Sequence, residues 1–181
     1  MDVETFRLVT GVPAARAAEW APHVSAAMDE FQIDTFPRVA AFLAQTGHES
    51  GGFVYTKEIW GPTAAQSRYE GRADLGNTVK GDGYLFRGRG LIQITGRLNY
   101  MQAAKGLGLD LLHHPELLEQ PVNAARSAAW WWKTHGCNEM ADRNDFVALT
   151  RRINGGTNGL ADRHERWAQA KSALGMQDGV A

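Results

Sequence analysis

Apolar residues recur every three or four positions along most of this chain, and that spacing predicts a mainly helical protein. Asp2 is a suitable N-cap for the first helix, and Gly11 is a suitable stop for it. A second helix begins at Pro13, and we expect Pro22 to break it in two. The predicted helices cover about 2–10, 13–31, 36–50, 62–69, 97–106, 121–135, 146–149 and 160–174.

One short stretch has the alternation of a strand rather than the period of a helix. In the run 92–95, isoleucine alternates with glutamine and threonine. That alternation predicts a half-buried strand in which Gln93 and Thr95 point the same way. The pattern as a whole therefore predicts a mainly α fold with one small β element.

Two acids in unlike surroundings lie close together in the sequence, at the end of the third predicted helix and shortly after it. Glu49 falls in the last turn of that helix, where the negative end of the helix dipole and burial beside Phe42 and Phe53 favour a protonated carboxyl group. A carboxyl group that keeps its proton near neutral pH can act as a general acid. The alternative interpretation of Glu49 is a solvated helix-end residue.

Glu58 is the second acid. We expect Gly51 and Gly52 to end the helix and to lead into an extended segment at 53–55. The polar neighbour Lys57 should keep Glu58 ionised, so that Glu58 could act as a base on water. A simple surface ion pair with Lys57 explains Glu58 equally well. Two carboxyl groups in such different settings are nevertheless what hydrolysis of a sugar chain requires.

Composition limits the remaining possibilities. The 181 residues are 44% hydrophobic, which suits one buried core. We therefore expect a single domain, with N-terminal helices at 1–35, a core at 36–174 and a loose tail at 175–181. A net charge of -1 gives no general attraction for nucleic acid, and no stretch approaches the ~20 apolar residues that span a bilayer. The lone Cys137 cannot form an internal disulfide, no export signal is visible, and a monomer is the simplest expectation.

Four short motifs occur in order along the chain. They are HESGGF at 48–53 with the later Glu58, FRGRGLIQIT at 86–95 with Asn99 and Tyr100, INGG at 153–156, and ADR at 161–163. Together they resemble glycoside hydrolase family 19, which contains plant-type chitinases and the chitinase-like endolysins of bacteriophages and prophages. The resemblance runs from about residue 36 to residue 174.

This resemblance implies a lysozyme-like, two-lobed α+β fold with the small β element beside a catalytic cleft. It also implies an inverting mechanism with no metal and no organic cofactor. Glu49 resembles the general acid and Glu58 the general base, while Thr95 occupies the position that helps to hold the attacking water. Thr157-Asn158 stands where the plant enzymes have an acid, a departure that bears on the ion pairs around the family's buried arginine. The residues expected to contact substrate are Gln93, Asn99, Tyr100, Asn154, Tyr55 and Trp60, and those expected to support the carboxyl groups are Arg163 and His48.

The catalytic pair does not distinguish two possible substrates, because chitin and the peptidoglycan glycan strand are both β-1,4-linked N-acetylated amino sugars. The chain shows no signal peptide, lectin-like module or disulfide, so we favour a peptidoglycan-cleaving endolysin of the lysozyme type. Such an enzyme would stay in the host bacterial cytoplasm until its release to the cell wall or periplasm, and would then cause lysis. A chitinase acting on chitin or chitooligosaccharides is the alternative, and muramidase and glucosaminidase specificity are both open.

The sequence also raises three other classes of protein. A zinc peptidase built on His48 and Glu49 needs a second histidine where Gly52 stands. A cysteine peptidase needs Cys137 to be activated by a residue such as His135, which the helical spacing turns away from it. A catalytically inactive protein that binds wall glycan is the main non-enzyme alternative.

Overall fold

The computed structural model describes residues 1–176 and is mainly helical, as the sequence predicts. Two short 3-10 helices, Ala73–Leu75 and Pro115–Glu119, lie among them. No helix within 1–176 combines the length and the apolar character that crossing a bilayer requires. The α-helices are α1 Val3–Thr10, α2 Ala14–Glu30, α3 Phe36–Glu49, α4 Ala64–Ser67, α5 Asp82–Leu85, α6 Arg97–Leu107, α7 Pro121–Thr134, α8 Cys137–Asp142, α9 Phe146–Asn154 and α10 Leu160–Ala173.

The expected break in α2 does not occur. Asp2 caps α1 by accepting a hydrogen bond from the Thr5 amide, as predicted, but α2 continues through Pro22 without interruption. Pro22 and Ala18, the residue one turn earlier, are both exposed. The Ala18 carbonyl that loses its helical donor can therefore be hydrated, which makes the proline tolerable.

Helix α3 runs through the centre of the larger lobe. Its residues from Val39 to Gly47 are all buried, because α3 packs against α1, α8 and α10 at the same time. A helix enclosed in this way has a fixed position. Its C-terminal residue, Glu49, is consequently delivered to one place at the protein surface.

Two hydrophobic clusters form the interiors of two lobes. The larger contains Phe42 and Trp132 and is built mainly by α1–α3 and α7–α10. The smaller contains Phe86 and Tyr100 and is built around α6 and the 3-10 helix Pro115–Glu119. Trp131 packs against both clusters. The mainly α, lysozyme-like fold with two lobes is thus confirmed.

The predicted strand at 92–95 is wrong in detail. Residues 90–93 form a tight turn, and the β element consists of isolated antiparallel bridges from Arg89 to Lys57 and to Ile94. Ile92 packs in the larger cluster and Ile94 in the smaller one. The alternating isoleucines therefore mark a chain that passes between two cores, rather than one face of a strand.

The predicted extended segment at 53–55 is also wrong. Gly51, Gly52 and Phe53 adopt left-handed conformations with φ of 61°, 73° and 63°, and the amides of Val54 and Tyr55 both donate to the Ser50 carbonyl. A left-handed phenylalanine is strained by about 1–3 kcal/mol. Burial of its ring against Phe6 and Trp20, with centroid distances of 5.3 and 5.7 Å, offsets that strain.

The end of the chain departs from the prediction where it can be described. The Met176 amide donates to the Lys171 carbonyl and the side chain packs against the larger cluster. The predicted loose tail therefore does not begin at 175, and its part at 177–181 lies outside the described residues.

Candidate active site

Glu49 is held at the C-terminal end of α3 by a buried arginine. Its side chain is 23% exposed and forms an ion pair through Oε1 with Arg163 of α10, which is 1% exposed. The Arg163 guanidinium also donates to Gln45 Oε1 and, at 3.2 Å, to the Asn158 carbonyl. Gln45 in turn donates to Thr150 at 2.9 Å. A buried polar chain therefore joins α3, α9 and α10 behind Glu49.

This chain of contacts explains how Arg163 is satisfied without the acid that plant enzymes carry near Thr157-Asn158. The neutral Gln45 and the main-chain carbonyl of Asn158 occupy the remaining donors of the guanidinium. Glu49 is then the acidic partner of Arg163 among the described residues. Glu49 lies at the helix end, as the sequence predicts, and Arg163, one of the residues expected to support the carboxyl groups, contacts it. The apolar surroundings predicted from Phe42 and Phe53 do not include this charged partner.

His48 ties the end of α3 to the start of α10. Its Nδ1 lies 2.6 Å from Asp162 Oδ2, and Arg166 Nε donates to the same oxygen at 2.8 Å. Burial alone would raise the pKa of the Asp162 carboxyl, but the hydrogen bonds from Arg166 and His48 hold that pKa below its usual value. The His48 ring packs on Gly159, where an added Cβ would lie 2.3 Å from it. His48 therefore fixes the connection between α9 and α10, and Asn154 lies exposed at the start of that connection.

Glu58 is held by three donors in the smaller lobe. Its Oε1 accepts from Gln66 Nε2 at 3.0 Å and from the Tyr69 hydroxyl at 3.3 Å, and its Oε2 accepts from the Gly88 amide at 3.2 Å. Burial, together with the Glu58 charge, raises the pKa of Tyr69, so its hydroxyl keeps the proton that it donates. The backbone amide of Glu58 also donates to the Gly88 carbonyl at 2.8 Å.

The predicted partnership between Glu58 and Lys57 is wrong. The Lys57 ammonium is instead 2.8 Å from Glu119 Oε2. Successive side chains in an extended stretch point to opposite sides, so neighbours in sequence need not meet in space. Glu58 is therefore organised by neutral donors rather than by the adjacent lysine.

An open groove of about 470 Å³ lies in front of Glu58 and is rich in aromatic side chains. Tyr55, Trp60 and Tyr84 line it, and the Trp60 and Tyr84 rings meet edge to face with centroids 5.4 Å apart. The Arg87 guanidinium lies over the Tyr84 ring at 4.2 Å. Aromatic faces of this kind offer large apolar area at low conformational entropy cost, which suits the apolar face of a sugar ring. The predicted residues Tyr55, Glu58 and Trp60 are thus brought together.

A second, smaller pocket of about 50 Å³ brings together three other predicted residues. Gln93, Thr95 and Asn99 all line it, and Asn99 Nδ2 donates to the Thr95 carbonyl at 2.7 Å. Gln93 and Thr95 therefore share one pocket, as does Ile94 between them, and the turn at 90–93 helps to bring them there. Other residues of its wall are Ile94, Gln102, Trp130, Trp131 and His135.

Gly88 connects the two pockets. Its amide donates to Glu58 in the groove, and a Cβ added to its α-carbon would lie 2.6 Å from Gln93 Oε1 in the small pocket. The added atom would also lie 3.1 Å from the Gln93 Cβ, so a larger residue at position 88 would displace Gln93. Glu58 and Gln93 are therefore neighbours across a single residue.

Tyr100 does not fulfil the predicted role of a substrate contact. Its side chain is fully buried, its hydroxyl donates to the Arg87 carbonyl at 2.7 Å, and it accepts from Arg89 at 3.0 Å. Burial raises the pKa of Tyr100 to about 12. Tyr100 belongs to the smaller core, where it fixes the segment that carries Gly88.

Sequence reasoning missed several residues around these pockets. Of the three consecutive tryptophans, only Trp132 is fully buried, whereas Trp130 and Trp131 line the small pocket beside Thr95. Because three consecutive helical residues span about 200°, the sequence predicts that at least one of these tryptophans faces away from the core, but it favours packing over a sugar-binding role for them. Gln66 and Tyr69, which hold Glu58, carried no comparable signal.

The described residues also bear on the peptidase alternatives. Among residues 1–176, no group of three or more His, Cys, Asp or Glu side chains is arranged to hold a metal ion. Cys137 is fully buried, and burial raises the pKa of its thiol to about 12. A buried thiol that keeps its proton is not a usable nucleophile, so the cysteine peptidase interpretation is excluded.

Comparison with known proteins agrees with this geometry. The sequence profile of family 19, described as Chitinase class I, matches residues 14–151. A glycosyl hydrolase family 19 domain-containing protein of Haemophilus influenzae is 39% identical over 153 residues, which cover 68% of this chain and 74% of that protein. An endochitinase of Arabidopsis thaliana is 41% identical over 119 residues, which cover 65% of this chain and 39% of the plant protein. This chain therefore spans well under half of that endochitinase.

Solved structures give the same result for the fold. Chitinase C of Streptomyces griseus superposes with a TM-score of 0.79 at 25% identity, over 99% of this chain and 78% of that one. A class IV chitinase of Zea mays superposes with a TM-score of 0.67 at 25% identity, over 87% of this chain and 80% of that one. Because the profile match also extends over most of the sequence, the chain belongs to glycoside hydrolase family 19.

Proposed function

We propose that this protein hydrolyses β-1,4-linked chains of N-acetylated amino sugars by inversion, with Glu49 as general acid and Glu58 as general base. The observation that carries the proposal is the contrast between the two carboxyl groups. Glu49 pairs with the buried Arg163, whereas neutral donors hold Glu58 in an open aromatic groove. Two carboxyl groups with separate supports can perform separate roles.

The proposed reaction uses each carboxyl group once. Glu49 gives its proton to the glycosidic oxygen as the bond from that oxygen to the sugar C1 breaks, and Glu58 takes a proton from the water that attacks C1 on the opposite face. Arg163 engages Oε1 of Glu49, which leaves Oε2 as the atom that carries the proton. As the proton leaves, the guanidinium stabilises the carboxylate that forms. Solvent then returns the two groups to their starting states.

The polar residues near Gly88 have proposed roles on either side of this step. The Thr95 hydroxyl would hold the attacking water, and Gln93 and Asn99 would bind the sugar from the same pocket. Asn154 would contact the sugar from the larger lobe, where His48 and Asp162 fix its connection to α10. Tyr55 and Trp60 would pack on the sugar rings in the groove.

Chitin or a chitooligosaccharide is the first candidate substrate. Several relatives, in Arabidopsis thaliana and other plants, are named endochitinases, and the two solved structures described above are chitinases. The groove is lined by three aromatic side chains, by Val54, Thr56 and Ile59, and by the charged Lys57, Glu58 and Arg87. Its aromatic faces suit the sugar rings of chitin. This candidate takes precedence over the peptidoglycan substrate that the sequence favoured.

Peptidoglycan remains the second candidate because of Arg87. This arginine lines the groove beside Glu58, donates to the Tyr84 carbonyl at 3.0 Å, and has no acidic partner among residues 1–176. Chitin offers it no negative charge, whereas muramic acid carries carboxylates on its stem peptide, or on its lactyl group where no peptide is attached. An endolysin role, with storage in the host cytoplasm before release to the wall, belongs with this candidate.

The test compares two substrates with one protein. Purified protein is incubated with N-acetylglucosamine hexamer and with peptidoglycan, and new reducing ends are identified by mass spectrometry, with Glu49→Gln as control. We expect cleavage of the hexamer with the α-anomer formed first, as seen by proton NMR, and no cleavage by Glu49→Gln. Cleavage of peptidoglycan alone would favour the second candidate, and the reducing sugar would then separate muramidase from glucosaminidase. Activity retained by Glu49→Gln would contradict the proposal.

A further inference from the structure

An acidic residue outside the proposed catalytic pair joins two cations behind Glu58. Glu119 ends the 3-10 helix Pro115–Glu119. Its Oε2 lies 2.8 Å from the Lys57 ammonium, and its Oε1 accepts from Arg89 Nε at 2.8 Å. The carboxylate of Glu119 is thus shared by two basic side chains from different parts of the chain.

These two cations belong to the segments whose pairing places Glu58. Lys57 and Arg89 form an antiparallel bridge, and the Gly90 amide donates to the Thr56 carbonyl at 2.8 Å. Lys57 immediately precedes Glu58, and Arg89 immediately follows Gly88, whose amide donates to the Glu58 carboxylate. Any change in the register of these segments therefore moves the carboxylate relative to its donor.

Arg89 makes this arrangement sensitive to the charge of Glu119. The Arg89 side chain is 4% exposed, and it also donates to the Leu85 carbonyl at 2.8 Å and to the Tyr100 hydroxyl at 3.0 Å. Burial alone would raise the pKa of the Glu119 carboxyl, but the hydrogen bonds from Lys57 and Arg89 hold that pKa below its usual value. A buried guanidinium that loses its counter-ion is strongly destabilised where it stands. Arg89 would then shift toward water, and Gly88 would shift with it.

We propose that Glu119 is a positioning residue for Glu58, which acts by holding Lys57 and Arg89 on either side of the Glu58–Gly88 contact. This inference rests on the proposed role of Glu58 as the base. Glu119 also directs the Lys57 ammonium away from Glu58, so that neutral donors alone contact the carboxylate. Glu119 does not line the groove in front of Glu58, although it lines a separate pocket that shares Val54 and Thr56 with that groove.

The experiment uses Glu119→Gln, which keeps the shape and removes the charge, and Glu119→Asp, which keeps the charge. Glu30→Gln is the matched control, because Glu30 forms a two-contact ion pair with Arg126, at 2.7 and 2.8 Å, between α2 and α7. Steady-state kinetics on N-acetylglucosamine hexamer give kcat and KM. The Kd for the hexamer is measured with Glu119→Gln added to a Glu49→Gln protein, and Tm is measured for every variant.

We expect Glu119→Gln to lower kcat about 10-fold or more, since small misplacements of a reacting group have effects of this size. KM and Kd should stay within about two-fold, Glu119→Asp should recover part of the lost kcat, and Glu30→Gln should leave kcat unchanged. An unchanged kcat in Glu119→Gln, or a loss that appears in Kd, would overturn the inference. If Glu119→Gln does not fold, Glu119→Asp must still show a lower kcat at unchanged KM. Wild-type activity in Glu58→Gln would instead refute the proposed function, so the two failures are distinguishable.

Discussion

Replacement of Arg163 by leucine tests the buried support of Glu49. Removing one partner of a buried ion pair destabilises a protein by about 3–5 kcal/mol. Glu49 is 23% exposed, so water can solvate part of the carboxylate that loses its arginine partner. The leucine side chain also restores some of the lost packing. We therefore expect Arg163→Leu to lower the free energy of unfolding by about 3 kcal/mol. For a protein of this length, that corresponds to a fall in Tm of roughly 6–12 °C.

The assay is urea unfolding of the wild type, Arg163→Leu, Glu49→Gln and the double variant. Because the two residues are in contact, their effects should not add, and we expect a coupling energy of about 1–2 kcal/mol. Arg166→Leu is the control, since Arg166 lies on the same helix, is 29% exposed, and should lose no more than about 1 kcal/mol. Additive effects within about 0.5 kcal/mol, or a loss in Arg163→Leu no larger than in the control, would refute this reasoning.

Three further predictions address the pockets and their supports. Thr95→Val should lower kcat about 10-fold with little change in KM, while Thr95→Ser keeps the hydroxyl and should keep the wild-type kcat. A wild-type kcat in Thr95→Val would show that Thr95 has no role in the mechanism. Tyr100→Phe should lower the free energy of unfolding by about 1–3 kcal/mol, because it leaves the Arg87 carbonyl without its donor. KM should not change, and a raised KM would support Tyr100 as a substrate contact. The ion pair with Arg97 holds the pKa of Asp82 below its ordinary 3.8. The ion pair therefore stabilises the folded protein fully above pH 3.8, and this stabilisation is lost as pH falls through the pKa that Asp82 has in the folded protein. The stability difference between wild type and Asp82→Asn should therefore shrink between pH 4 and pH 2, and a constant difference would contradict the assignment.

The helices could largely be predicted from the sequence because local signals decide them. Asp2 and Gly11 bound α1, and Pro121 begins α7, as their backbone preferences require. Pro22 shows the limit of such signals, since its tolerance depends on whether the neighbouring carbonyl faces water. That exposure is a property of the packed protein rather than of the local sequence.

The candidate site was predicted less completely, because its residues meet through tertiary contacts. Glu49 falls at a helix end by its spacing alone, but its pairing with Arg163 depends on how α10 packs against α3. Lys57 adjoins Glu58 in sequence and nevertheless pairs with Glu119. Tyr100 belongs to one of the four motifs, and only its buried ring shows that it supports the segment carrying Gly88 and does not contact the substrate.

If Glu49 and Glu58 together hydrolyse the glycan, as proposed, then removal of the Glu58 carboxylate must abolish most of the activity. The measurement is kcat on N-acetylglucosamine hexamer for Glu58→Gln beside Glu58→Asp, with Kd and circular dichroism to show that both variants bind and fold. We expect Glu58→Gln to lose about 10²- to 10⁴-fold in kcat at unchanged Kd, the range for a lost general base. A kcat near the wild-type value in folded Glu58→Gln would contradict the account.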